Sequence, residues 1–514
     1  MRKTNRIILL LAIIKFVLPY LLQNSFYEPH RDEFLYLAQG QHLAWGYLEI
    51  PPLLSVLAWL TDLLGNSIFW IKFWPDLFGV FTFVLTAKMV QSLGGKAFAI
   101  FLAFLPFVFG AYLSIFFLFQ PNAPEVFFWT LMAYSILRFI QTQKNKWLYV
   151  FGAGVGLGML SKYSVLFFVI SVLLGLLLSK QRKIFLTRHL YFAGIISLLI
   201  FLPNLVWQII HDFPVMIHMK ELQEKQLQFI SPVGFLADQI LMNLPVFFIW
   251  MAGLYFVAFS FEGRKYRAFA WAYVFVIALL LFFQGKSYYA LGVYPVLFAF
   301  GAYHLANFIA DRAKAWKYVL AAIPVLLGIL LIPVLLPVAK PATLAQYYHE
   351  MKMEKYGILR WEDHQNHPLP QDFADMLGWK EMTQKVATAY ASLDSNEKKK
   401  TVLFCDNYGQ AGAVNFYRKE YHLPEAYSDN GSFLFWMPEK SDFENIVLVT
   451  DDKEEMQHSF IKQFVSAVAF DSIANKYARE YGSLIIILKG PDKEFKDAFR
   501  KRIEHKNTQF KRTE

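Results

Sequence analysis

Cysteine is almost absent from the chain: one residue, Cys405, in 514. A single thiol excludes an internal disulfide framework and a cysteine-built zinc site. Charge is scarce as well. Charged residues make up 18% of the sequence, against roughly 25% in a soluble domain. Hydrophobic residues make up 56% and aromatic ones 18%. That balance excludes a large soluble core and implies a polytopic membrane protein. The net charge of +10 does not imply a nucleic-acid partner. The basic residues sit in short loops between apolar runs and in the C-terminal tail, and short basic loops are topology signals. Internal repeats are lacking too, and with them the paired halves that many transporters carry.

Long apolar runs are what the chain does have. In lipid they must be helices, because hydrocarbon offers no partner to a free backbone amide. Spans are expected near residues 7–23, 68–90, 97–119, 125–140, 147–161, 163–179, 190–207, 236–258, 268–284, 288–308 and 318–338, about eleven in all. Several are shorter than the roughly 20 residues of a straight crossing, and 147–179 reads as a broken pair meeting at Ser161 and Lys162. Arg2, Lys3 and Arg6 place the amino terminus in the cytoplasm. Alternating sides then puts "QTQKNK", "SKQRKIFLTRH", "EGRKYR" and "DRAKAWK" inside, as the positive-inside rule requires. The first run reads as a retained signal anchor, since no small-residue cleavage site follows it.

The same alternation sends residues 24–67, "FQPNAPE", residues 208–235, "QGKSYY" and everything beyond about residue 340 to the outer face. Composition changes there to mixed polar and apolar. "KTVLFCDNYGQAGAVNFYRKEYHLP" reads as strand, turn and helix ending at Pro424, and "NIVLVTDD" and "SLIIILKGP" read as buried strands. The expected architecture is an all-α polytopic membrane domain over 1–340 and a small extracytoplasmic α/β domain over 341–514. The latter's lysine-rich end, "KDAFRKRIEHKNTQFKRTE", reads as a solvated helix and tail.

Polar residues gather at the outer mouths of the spans. "FYEPHRDEFLYLAQG" carries Arg31, Asp32 and Glu33 and is followed by Pro51-Pro52, which ends any helix before it. The next apolar piece, about 53–64, is too short to span and reads as lying along the interface. "FQPNAPE" adds Asn122 and Glu125. Lys162 stands between two apolar runs, where a charge is costly and usually faces a partner or a cavity. The glycines at 152, 154, 156 and 158 before it fit close helix packing. Lys286 precedes Tyr288 and Tyr289, which an aromatic belt explains as well as a binding role does. An ordinary solvated loop accounts for an isolated acidic pair. Lysines with carboxylates on one face also suit a phosphate and a hydroxyl nucleophile, since lysine meets phosphate as a point charge and a carboxylate can accept a proton.

The order "RDEFLYLAQG…IPPLLSVLAWL", "FQPNAPEVFFWTL", "GLGMLSKYSVLFF", "LPNLVWQIIHDFP" and "GKSYYALGVYPVLFAFGA" resembles the bacterial protein-mannosyltransferase-like branch of the GT-C glycosyltransferases, related to the aminoarabinose transferase of lipid A. The resemblance covers roughly residues 1–340, and "DNYGQAGAVNFY" is similar to this branch as well. It implies an inverting inner-membrane enzyme of bacteria. The donor would be a sugar on polyprenyl phosphate, and the acceptor a glycolipid, a glycan or a protein. Asp32 would be the general base, Glu33 would assist in binding or orientation, and Lys162 and Lys286 would hold the donor phosphate. Arg31, Asn122, Glu125, His211, Tyr288 and Tyr289 would line the substrate. His211 and His218 would meet the sugar or a metal, or serve only as interfacial loop histidines. Many relatives carry aspartate where this chain has Asn122, which cannot supply a charge. A divalent cation is thus the one cofactor left open. A transporter or lipid flippase, and a non-catalytic receptor or assembly protein, are the competing classes.

Overall fold

The computed structural model describes residues 2–437 and 443–508, and the end of the basic tail, 509–514, lies outside the described residues. The chain is mostly helical. Among the described residues, six helices are long and apolar enough to cross a membrane: Lys3–Leu22, Ile68–Ser92, Arg188–Ile210, Glu262–Phe282, Ser287–Phe308 and Ala315–Leu335. The pair Pro232–Leu241 and Leu244–Phe259, bent by 63°, makes a seventh if it counts as one span. The expected count of about eleven is therefore not reproduced.

Helix breakers explain part of the difference. The run at 97–119 is three pieces, Ala97–Phe104, Pro106–Phe109 and Ala111–Ile115, interrupted at Pro106 and Gly110, where proline removes a donor and glycine adopts extended backbone. The run at 147–179 is the expected broken pair, with helices Lys146–Met159 and Val165–Leu177 flanking Ser161 and Lys162. At 14 and 13 residues, each is short for a straight crossing.

Four elements position the site. Helix α1 (Arg2–Leu22) leads into α2 (Arg31–Gln41) and α3 (Leu53–Leu63), both of 11 residues, and then into α4 (Ile68–Ser92). The hairpin of α2 and α3 is close because Gly40 sits against Ala58; a Cβ there would fall 2.6 Å from the Ala58 Cβ.

The C-terminal region carries a five-stranded sheet of order β2-β1-β3-β5-β4, formed by β1 (Thr401–Cys405), β2 (Ala426–Tyr427), β3 (Asn445–Thr450), β4 (Phe464–Ser472) and β5 (Leu484–Pro491). β1 pairs parallel with β2 and β3, while β5 runs antiparallel to β3 and β4. All six residues of β3 are buried, as expected of a central strand covered on both faces. The strand–turn–helix expected at 401–424 is present as β1 followed by a helix over Tyr408–Tyr421 that ends on left-handed His422.

α2 does not float above the membrane helices. Phe34, fully buried, packs edge-on against Trp379 and Phe416 at ring separations of 5.6 and 5.4 Å. Gly412 lets the Tyr408–Tyr421 helix touch the α2 backbone at Phe34, where a Cβ would come within 3.0 Å of it. One apolar cluster therefore runs from α2 and α3 into the sheet, separate from the larger cluster among the membrane helices. Burying a phenylalanine of this kind contributes about 1.5–3 kcal/mol.

Candidate active site

Residues 32 and 33 point different ways because neighbours on a helix are about 100° apart. His30 caps α2: its Nδ1 accepts from the Asp32 backbone N–H at 3.1 Å, and Glu33 reaches back to the His30 N–H at 2.7 Å. That closes a capping box at the helix start. Both acidic side chains are thereby fixed at their roots.

Glu33 faces inward and is fully buried. Its Oε1 accepts from Lys72 Nζ at 2.6 Å and from the Phe119 N–H at 2.6 Å. Its Oε2 accepts from Lys72 at 2.8 Å as well as from His30. Four donor contacts match the roughly four lone-pair sites of a carboxylate. The Lys72 ammonium also lies 4.3 Å from the Phe117 ring centroid. Glu33 is therefore tied to α4 and to the loop before Asn122, with no acceptor site to spare.

Asp32 faces the other way and is half-buried. Its Oδ1 accepts from the Tyr408 hydroxyl at 2.8 Å and its Oδ2 from Gln120 Nε2 at 3.1 Å, which leaves each oxygen a further acceptor site. Burial and the adjacent Asp32 carboxylate push the Tyr408 phenol well above its ordinary value, so the hydroxyl remains a donor. From Gln120 the chain of contacts continues. Gln120 Oε1 accepts from Asn122 Nδ2 at 3.1 Å, and Asn122 Oδ1 accepts from Lys162 Nζ at 2.7 Å. Lys162 also pairs with Glu125 Oε2 at 3.1 Å, and Ser164 donates to the other Glu125 oxygen. Asn122 and Glu125 begin the helix Asn122–Thr142 and, three residues apart, share a face.

Aromatic rings close the space. The Lys162 ammonium stands 3.9 Å from the Tyr289 ring centroid and 5.7 Å from that of Tyr288, a range in which a cation is attracted to a ring face. The Arg31 guanidinium lies 4.6 Å from the Tyr408 ring centroid. Lys286 is half-buried and exerts its charge on Asp372. Asp372 in turn stands 3.9 Å from His30 Nε2, with Asp375 at 3.6 Å. With Nδ1 accepting, the His30 proton is on Nε2, between these two carboxylates.

Of the expected residues, Arg31, Asp32, Asn122, Glu125, Lys162, Tyr288 and Tyr289 are joined by these hydrogen bonds, ion pairs and ring contacts, while the Lys286 side chain makes no hydrogen bond or ion pair to them among the described residues. His211 makes its contacts with Trp207: its Nδ1 bonds the Trp207 carbonyl at 2.8 Å and its ring stacks on Trp207 at 4.2 Å. His218 is on the neighbouring helix Pro214–Lys225. No hydrogen bond among the described residues joins either histidine to the Asp32 chain. For a cation, three ligand atoms lie within 4.8 Å of one another at Asp452, Glu455 and His458 of the C-terminal region, and among the described residues no such group surrounds Asp32.

Three contributors had no flag in the sequence reading: Lys72, Gln120 and Tyr408. A lysine inside the apolar run at 68–90 was the available signal for Lys72, and Tyr408 stands inside the "DNYGQAGAVNFY" motif.

Residues 49–207, a stretch holding Asn122, Glu125 and Lys162, match the family model of dolichyl-phosphate-mannose-protein mannosyltransferase. Over 198 residues the chain is 29% identical to the lipid A galacturonosyltransferase RgtD of Rhizobium johnstonii, a match spanning 37% of this chain and 41% of that one. The chain thus matches about two fifths of the curated relative's length. ArnT from Cupriavidus metallidurans, solved with undecaprenyl phosphate bound, superposes with a TM-score of 0.58 at 14% identity, covering 94% of this chain and 98% of that one. Its apo form gives 0.56 at 12% identity. The chain shares the ArnT fold over nearly its whole length. The resemblance to GT-C glycosyltransferases is borne out, and the chain is a multi-pass membrane protein.

Proposed function

We propose that the chain is an inverting membrane glycosyltransferase that moves a sugar from polyprenyl phosphate to a hydroxyl or phosphate acceptor at the outer face of the bacterial inner membrane. The observation that carries this reading is the continuous polar chain from Tyr408 through Asp32, Gln120 and Asn122 to Lys162 and Glu125. A carboxylate with free acceptor capacity at one end of that chain and an ammonium at the other support the reading. The family model and the curated relative favour glycosyl transfer over transport. The bound lipid in ArnT supports a polyprenyl phosphate donor, and the substrate in the name of RgtD supports a glycolipid acceptor.

In this reading Asp32 takes the proton of the acceptor hydroxyl as its oxygen attacks the anomeric carbon. The bond between that carbon and the phosphate oxygen breaks, and polyprenyl phosphate leaves with the electron pair. Lys162 and Lys286 meet the charge that develops on the leaving phosphate, a charge-assisted contact stronger than a neutral one. Tyr408 and Gln120 aim Asp32, Arg31 holds the Tyr408 ring, and Tyr288 and Tyr289 wall the sugar. Glu33 is a positioning residue, because its acceptor sites are all occupied by Lys72, His30 and Phe119. A divalent cation has no assigned place in these steps.

Mass spectrometry of the purified protein tests the reading. Retention of a lipid-linked sugar that Lys162→Ala and Lys286→Ala lose, and Asp32→Asn keeps, is the expected result. Equal retention by all three variants would remove the phosphate assignment.

A further inference from the structure

A second polar cleft lies at the opposite end of the same helices. The helix Asn122–Thr142 begins at the Asp32 site and carries Arg138 thirteen residues after Glu125, roughly 20 Å along its axis. α4 likewise runs from Lys72 to Ser92. Between these ends and the segment Glu262–Tyr266 is a cleft of about 330 Å³. Its cations are Arg138 and Lys265 and its one carboxylate is the exposed Glu262, so the lining is net positive.

The floor is tied together, and the guanidinium beside it keeps one donor unmade. Gln141 Nε2 lies 3.2 Å from both Ser92 Oγ and the Tyr266 hydroxyl, and 3.3 Å from the Ser92 carbonyl. That amide joins α4, the Asn122–Thr142 helix and the loop ahead of Arg267. Arg138 gives Nη1 to Gln141 Oε1 at 2.9 Å and rests over the Trp147 ring at 5.7 Å. Its Nε is buried with no hydrogen-bond partner, and Arg138 forms no ion pair among the described residues. A buried guanidinium donor left unmade is costly and calls for an acceptor. The Lys265 ammonium stands 4.9 Å from the Tyr266 ring centroid, and it too forms no ion pair among the described residues.

We propose that this cleft, lined by Arg138, Lys265, Gln141 and Tyr266 at the bundle end opposite Asp32, binds a phosphate group. A guanidinium fork, an ammonium and a phenol are donors suited to phosphate oxygens. Helix ends of a multi-pass protein lie at headgroup depth, and basic pockets between such helices take anionic headgroups. The same chemistry would admit a free phosphate. The site shares no residue with the transfer site and does not depend on the transferase reading.

The test uses the full-length protein in detergent, with native mass spectrometry after incubation with phosphatidylglycerol or phosphatidylcholine. Preferential retention of phosphatidylglycerol, reduced about fivefold by Arg138→Gln and by Lys265→Ala, is the expected result for a lipid headgroup. In a second arm, inorganic phosphate is added to lipid-free protein against chloride at equal ionic strength. A rise in thermal midpoint that Arg138→Gln abolishes, without lipid preference, assigns the cleft to a free phosphate and supports the site equally. Because Lys265 is exposed, its variant answers the question if Arg138→Gln fails to fold. Equal retention of the two lipids with no response to phosphate overturns the proposal. So does a preference that neither variant changes.

Discussion

Glu33 with Lys72 and Asp32 with Lys162 are both acid and lysine sets rooted in the same turn of α2, and they are built in opposite ways. The first is sealed: both groups are buried and the carboxylate is saturated by four donor contacts. The second is strung out through Gln120 and the buried Asn122, with Asp32 itself half-buried and acceptor capacity left on it. A carboxylate that has spent every lone pair can hold a helix but cannot take a proton. The neighbour that keeps one free can do chemistry. Adjacent charges in a sequence can thus divide into scaffold and reagent by the 100° between them.

The comparison breaks most visibly at Asp32. Asp32→Asn keeps the size of the side chain, turns one acceptor oxygen into an amide donor and removes the base, so turnover should fall about 10²–10⁴-fold, with donor retention unchanged. A matched assay of Glu33→Gln in a folded preparation should show a smaller rate loss. Equal rate losses would erase the division between the two acids.

Next is Lys72→Met, which strands a buried carboxylate. It should cost about 3–5 kcal/mol of stability, read as a lower unfolding midpoint, and Glu33→Gln placed on top of it should recover part of that loss. If Lys72→Met is neutral, the pair is no clamp. Tyr408→Phe removes one hydrogen bond to a charged acceptor and should lower turnover about tenfold with little change in midpoint.

The smallest effect concerns the seam between α2 and the C-terminal region. Burial raises the Glu28 carboxyl to about 7, against the Lys380 and Trp379 N–H groups it accepts from at 3.0 and 2.8 Å. The folded state therefore favours the protonated form. That contribution is complete below the ordinary value of 4.5 and is lost as pH rises through about 7. The midpoint should decline over that window, and Glu28→Gln should flatten the decline.

Much of the site was legible because polar residues are rare in apolar runs, so Asn122, Glu125 and Lys162 stand out at span mouths. Lys72 did not, since one charge in a long span looks like an interruption until its partner is known. Tyr408 could not, because its partner is 376 residues away. The strands 401–405, 445–450 and 484–491 announced themselves as apolar runs. β2 has two residues and β4 is an edge strand with a mixed, half-exposed face, so neither has a readable pattern. The count of about eleven spans is not confirmed, in part because Pro106 and Gly110 divide one apolar run into short helices.

The most direct measurement is single-turnover transfer by purified Asp32→Asn loaded with its lipid-linked sugar and supplied with acceptor. The account predicts that the sugar stays on the lipid while the wild-type protein releases it to acceptor. Transfer by the variant at the wild-type rate would contradict the assignment of Asp32 as the base.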